Sequence, residues 1–192
     1  PERARIAASQ ELFGTTNPDV PRRRILINPD PGIDPDAYLP AGVHPGDDTV
    51  RVVQVRSQVR GATATADSPG PRPSTLDQLE ADIDAAFADL IRTETPAPGE
   101  LRVGVTTVQP LIDLAGLQRV QECCTLLVAK ARTWDGMAHF HAPMPPTDER
   151  VATLEQHVDA RIDLRIGPEE DVELLWHTGE PEIDSSLSWI AI

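Results

Sequence analysis

Lysine is almost missing from this chain. Lys130 stands alone, Lys plus Arg comes to 17, Asp plus Glu to 31, and the formal charge is −14. Such an anionic surface repels nucleic acid and anionic membranes, and the one short basic run, Arg22–Arg23–Arg24, has no aromatic residues interleaved with it. Nucleic acid is therefore not an expected partner. Cysteine is equally sparse: Cys123 and Cys124 are adjacent, and on a helix they face about 100° apart, which reads as two reduced core thiols and no disulfide framework. No apolar run is long enough to span a bilayer and no secretory leader is recognisable, so the expectation is a soluble, cytoplasmic protein without membrane insertion.

What is present is enough for one α/β domain over residues 1–192, with 40% apolar residues to build its core. The acidic excess comes on top of the lysine loss, a combination best tolerated where salt screens the carboxylates. The composition reads as halophilic. The clearest succession of elements runs from Gly99 to Pro143. Leu101–Val105 alternates as a buried strand, Thr106–Pro110 reads as a turn, Leu117–Trp134 has apolar residues at helical spacing, and Gly136–His141 is a second strand. Strand, helix and strand in that order form a βαβ unit of a parallel sheet.

Around that unit, Pro1–Phe13 reads as a helix remnant closed by Gly14, and residues 15–23 as linker. Arg24–Asn28 and Val50–Val55 are strands separated by a Pro-, Asp- and Gly-rich loop with one helical turn near Asp36–Leu39. Residues 56–74, with Ser68–Pro73, read as a mobile loop. Ser74 or Thr75 caps a helix with apolar positions Leu76, Leu79, Ile83, Phe87 and Leu90, and Thr147 caps a shorter one through Val151 and Leu154. The last three strands, 160–166, 172–177 and 187–192, begin with an antiparallel hairpin around Gly167–Asp171.

The order of elements, together with Leu101–Leu111 and Val128–Pro143, resembles the RecA-like core of the KaiC-like proteins, and within them an uncharacterised haloarchaeal, HTR-like branch whose closing hairpin carries a tryptophan like Trp176. The resemblance implies a RecA-like three-layer α/β sandwich with a mostly parallel central sheet and a C-terminal antiparallel hairpin. Nucleotide hydrolysis on that scaffold needs a G-x-x-x-x-G-K-[ST] loop and an Asp at a strand end to help hold magnesium. Neither is in these residues: Lys130 lies inside a helix with no glycine loop before it, and Thr106 and Thr107 follow the strand where the Asp belongs. The function expected is a non-catalytic regulatory or assembly component with no cofactor, acting on a protein partner or RecA-like homologue, or as a homo-oligomer. The alternative is an ATPase whose phosphate loop lies upstream or in a partner subunit.

Three sets of site residues follow. The C-terminal ends of parallel strands hold ligands in open α/β sheets, and here they deliver Asn28, Arg56, Thr106, Thr107 and His141 to a candidate docking rim. Trp176 and Trp189 are candidate interface anchors, beside a core reading for each and for Trp134. His139 and His141, two apart on a strand, point to one face and seed a weaker metal reading with His157, Asp159 or Asp163; packing and a backbone hydrogen bond are the stronger reading. Cys124 paired with either histidine has no oxyanion-hole glycine turn or third orienting residue placed by spacing and reads as a core thiol, and Ser185, Ser186 and Ser188 sit in a terminal turn and read as caps or turn formers.

Overall fold

The computed structural model describes residues 2–14, 21–55, 75–92, 94–180, 184 and 187–192. Among them the chain runs α1 (Glu2–Phe13), β1 (Arg23–Asn28), a 3-10 turn (Pro35–Tyr38), β2 (Val50–Gln54), α2 (Thr75–Ile91), β3 (Leu101–Val105), α3 (Gln109–Ala115), α4 (Leu117–Thr133), β4 (Met137–Phe140), α5 (Glu149–Glu155), β5 (Arg161–Ile166), β6 (Val172–His177) and β7 (Ile190–Ala191). Two sheets result. The first is parallel throughout, in the order β2-β1-β3-β4, and the second is antiparallel, in the order β5-β6-β7. The mostly parallel sheet, the βαβ unit and the closing hairpin are thus as the sequence predicts. The turn expected over Thr106–Pro110 is shorter than that, because Pro110 occupies an early position of α3, where its missing N–H costs nothing.

Alternation along the strands divides the parallel sheet into two faces. Ile25, Ile27, Leu101, Val103 and Val105 meet α2 and α4 in the larger core, which α2 enters through Leu76, Leu79, Ile83, Phe87 and Leu90. That is the i, i+3, i+7 stripe legible in the sequence, and burying each such side chain stabilises the fold by about 1.5–3 kcal/mol. Leu26 looks the other way, into a smaller core with Phe13 of α1, Tyr38, Leu39 and Val43. Helices on both sides of the sheet make three layers.

α1 runs opposite to the strands it covers. It passes Ser9 over His139, with Ser9 Oγ 3.5 Å from Nε2, and brings Phe13 edge-on to the same ring at 4.8 Å. Gly14 then ends it with φ +74° and a donated bond to Gln10 O, and its own carbonyl accepts from Arg24 near the start of β1. This close approach is permitted by Gly104: a Cβ there would lie 2.5 Å from Phe13 Cζ and 2.6 Å from His139 Nε2. Gly104→Ala is therefore expected to destabilise the fold by about 1–3 kcal/mol, the usual range for overpacking, measured as a lower urea midpoint at unchanged slope. A midpoint equal to wild type contradicts the packing of α1 on β3 and β4.

Candidate functional site

Because β1, β3 and β4 are parallel and adjacent, the residues that follow them converge at one end of the sheet. Thr106 Oγ1 donates to Asn28 Oδ1 at 3.0 Å, the Asn28 amide donates to Ile33 O at 2.9 Å, and the same Oδ1 accepts from Asp30 N–H at 3.3 Å. Thr107 Oγ1 accepts from Gln109 N–H at 3.4 Å, and His141 exchanges backbone bonds with Val105 and Val108. The convergence of Asn28, Thr106, Thr107 and His141 read from the sequence is present, but all four are buried. The hydroxyls and the amide are spent on the chain itself, holding the first turn after β3 against the end of β1, and are not a polar surface open to a partner. Arg56 lies outside the described residues.

His139 and His141 do share a face, with ring centroids 5.4 Å apart, and Tyr38 closes on His141 at 6.0 Å. Among the described residues, His139 Nδ1, His141 Nε2 and Tyr38 Oη have no hydrogen-bond partner. Burial drives the His139 pKa well below its usual value, with His141 and then Arg102 adding to the effect, and burial followed by the Arg5 charge lowers that of His141 to about 4. Both rings are neutral at pH 7. A metal would need further ligands, and those weighed in the sequence are engaged elsewhere. His157 bonds to Thr125 and Gln121, Asp159 pairs with Arg132, and Asp163 pairs with Arg161 and His177. No group of three or more His, Cys, Asp or Glu suited to a metal occurs among the described residues.

Cys123 and Cys124 are free and buried, and burial pushes their thiols up to about 11 and about 12, far from thiolate reactivity at pH 7. Lys130 sits on the far side of the sheet. Its ammonium pairs with Asp84 at 2.9 Å and lies 5.7 Å over the Phe87 ring, away from the strand ends. Of the nucleophile candidates weighed from the sequence, Ser185 and Ser186 lie outside the described residues, and Ser188 is exposed.

Trp134 packs partly into the larger core. Trp176 is exposed on β6, whereas Trp189 is half-buried beneath the Arg165 guanidinium at 3.9 Å. Alternation puts the two rings on opposite faces of the antiparallel sheet, yet both border one cleft of about 830 Å³. β4 forms one wall of the cleft and β5 the opposite wall; α1 covers one side, and α4 and α5 the other. Sequence reasoning missed this cleft, and it also missed Ser9, Phe13 and Tyr38 around the histidines. Those contacts join residues 103–130 positions apart, which no local pattern encodes.

Residues 1–164 match a family of unknown function, DUF7504. The chain belongs to that family. The DUF7504 match takes in the whole parallel sheet and both histidines and ends inside β5, so β6, β7, Trp176 and Trp189 lie beyond it. No curated protein and no solved structure matches the chain. No helix among the described residues is long and apolar enough to cross a membrane.

Proposed function

We propose that this DUF7504 protein is a non-catalytic regulatory or assembly component, a degenerate KaiC-like scaffold of a halophilic archaeon that works by protein contact. The observation that carries this reading is the state of the strand ends. A nucleotide enzyme keeps open N–H groups, a lysine and a magnesium-binding carboxylate there. Here the convergent groups are an amide, two hydroxyls and a neutral imidazole, all buried, with the hydroxyls and amide bonded within the chain and the one lysine paired elsewhere. Of the exposed large apolar side chains among the described residues, Leu114 and Leu126 stand singly on α3 and α4, whereas Trp176, Ile190 and Ile192 cluster on or beside the antiparallel sheet. A protein partner, a RecA-like homologue or a second copy of the chain docks there.

The test compares wild type with Trp176→Ala/Ile190→Ala by pull-down from the native host and by sedimentation velocity. Both side chains are exposed, so the variant keeps its fold, and a central aromatic anchor is worth about 2 kcal/mol or more, roughly a thirtyfold loss of affinity. Equal partner recovery and equal self-association reject this surface. Salt provides a second check. Raising potassium chloride from 0.1 to 1 M shortens the Debye length from roughly 10 to 3 Å and relieves carboxylate repulsion, so the melting temperature is expected to rise. A salt-independent melting temperature removes the halophilic part of the reading.

One observation favours the runner-up, an ATPase whose phosphate loop precedes Pro1 or comes from a neighbouring subunit. α1 starts near the C-terminal end of β4, where Arg5 acts on His141, so a loop entering α1 would place its backbone N–H groups beside the strand ends.

A further inference from the structure

Opposite residues of two antiparallel strands put their side chains on one face, so register decides which side chains the antiparallel sheet shows together. Leu174 lies opposite Ile190 and Val172 opposite Ile192, and alternation adds Trp176 to the same face. α1 packs against β5 and β6, and Val172 and Leu174 are buried, whereas Trp176, Ile190 and Ile192 stay exposed. The three uncovered side chains form one apolar stripe along β6 and β7. From the level of Val172 to that of Trp176 it runs about 14 Å, at about 3.4 Å per residue.

β7 is the last strand of its sheet. Ile192 N–H donates to Val172 O, so Ile190 and Ile192 turn their peptide groups toward β6, and alternation turns the N–H and C=O of Ala191 outward. An open edge of this kind templates another strand. The added main chain takes up the outward groups, and its alternate side chains fall beside Ile190 and Ile192.

Charge selects the occupant. At the Ile192 end of the stripe the turn between β5 and β6 exposes Glu169, Glu170 and Asp171, and beyond Trp176 stands the exposed Glu180. The cations of β5, Arg161 and Arg165, lie on the opposite face, where they pair with Asp163 and Glu173. α1 brings both signs in equal number, Glu2 and Glu11 with Arg3 and Arg5. A second copy pairing β7 with β7 in antiparallel fashion would set the acidic turn of each chain against the Glu180 end of the other, between chains of charge −14. An apolar segment with a cation at each end meets no such repulsion.

We propose that the free edge of β7 binds an extended segment of another protein as an added strand, the segment being apolar at alternate positions with lysine or arginine at both ends. At the Debye length of roughly 3 Å in molar salt only touching charges feel each other, so the end cations sit on the carboxylates themselves. The inference rests on the antiparallel sheet being the contact surface, and it gives the partner a chemistry.

The probe is a synthetic peptide of alternating valine and threonine with lysine at each end, followed on the 192-residue chain by NMR titration and amide hydrogen exchange; the control peptide ends in glutamates. The lysine-ended peptide is expected to bind saturably and to slow exchange of the Ala191 amide on the order of tenfold, and the glutamate-ended peptide to do neither. Ala191→Pro removes the outward N–H and spares the bonds of Ile190 and Ile192 to β6, so β7 stays in place and binding weakens about fivefold, one hydrogen bond's share. Equal binding of the two peptides, binding that leaves Ala191 unprotected, or no binding of the lysine-ended peptide at millimolar concentration overturns the proposal. Protection of Ala191 in the free chain that grows with its concentration also overturns it, by putting a second copy on the edge. If Trp176→Ala/Ile190→Ala loses native partners that Ala191→Pro keeps, the contact surface stands and the added strand is rejected.

Discussion

Between pH 6.5 and 4.5 the protein is expected to lose up to about 5 kcal/mol of stability, through two residues that make no ion pair. His139 and His141 are buried and neutral, with folded pKa values lowered from the usual 6.5, that of His141 to about 4. In the unfolded chain both titrate near 6.5. The unfolded state thus binds more protons than the folded one in the window between those values, and stability rises with pH there, by about 1.4 kcal/mol per unit for each histidine. Above pH 6.5 the contribution is complete and constant. Toward pH 4 the His141 share of the slope levels off as the folded ring also takes up a proton. Urea unfolding at a series of pH values measures the slope, and His141→Gln should remove about half of it. A flat profile from 6.5 to 4.5 would show that these imidazoles are not buried beneath α1 as described.

Arg23→Ala is expected to cost about 3–5 kcal/mol, the range for breaking a largely buried ion pair from one side. Arg23 Nε donates to Glu100 Oε1 at 2.7 Å, and its Nη1 donates to Leu90 O at 2.6 Å and Glu94 O at 2.8 Å. One guanidinium therefore ties the start of β1 to the last turn of α2 and to the loop that leads into β3. Both side chains of the Arg23–Glu100 pair are about nine-tenths buried, so truncation strands a carboxylate away from water. Glu100 Oε2 also accepts the Ala97 N–H at 2.7 Å. For that reason Arg23→Ala/Glu100→Gln, which removes the stranded charge but keeps an acceptor for Ala97, is expected to recover part of the loss. Equal midpoints for Arg23→Ala and wild type would contradict the pairing.

The parts of the fold legible in the sequence are those whose signal is local. Leu101–Val105 alternates over the length of one strand, and α2 repeats its apolar stripe over four turns, so both elements coincide with their expected spans to within a residue. α3 was hidden, because Pro110 reads as a helix breaker unless it is recognised as an early helical position. The site was half legible. Strand direction alone brings Asn28, Thr106 and His141 together, but whether they face solvent depends on α1 and on the loop carrying Tyr38, which reach the sheet only in three dimensions. The hydroxyls expected at a surface are consequently inside. The cleft was invisible for a related reason: it is bounded by two strands with α5 between them in sequence, and a pattern within either strand says nothing about the gap.

The central claim is that the strand ends hold buried, self-bonded polar groups in place of a nucleotide site, and isothermal titration calorimetry with ATP and magnesium tests it most directly. The titration is done on the 192-residue chain and on the chain extended upstream, in molar potassium chloride. No saturable heat is expected from either, since the Asn28–Thr106 pair is closed and Lys130 is held by Asp84 on the other face. Micromolar binding by either chain would contradict it and move the protein to the ATPase reading.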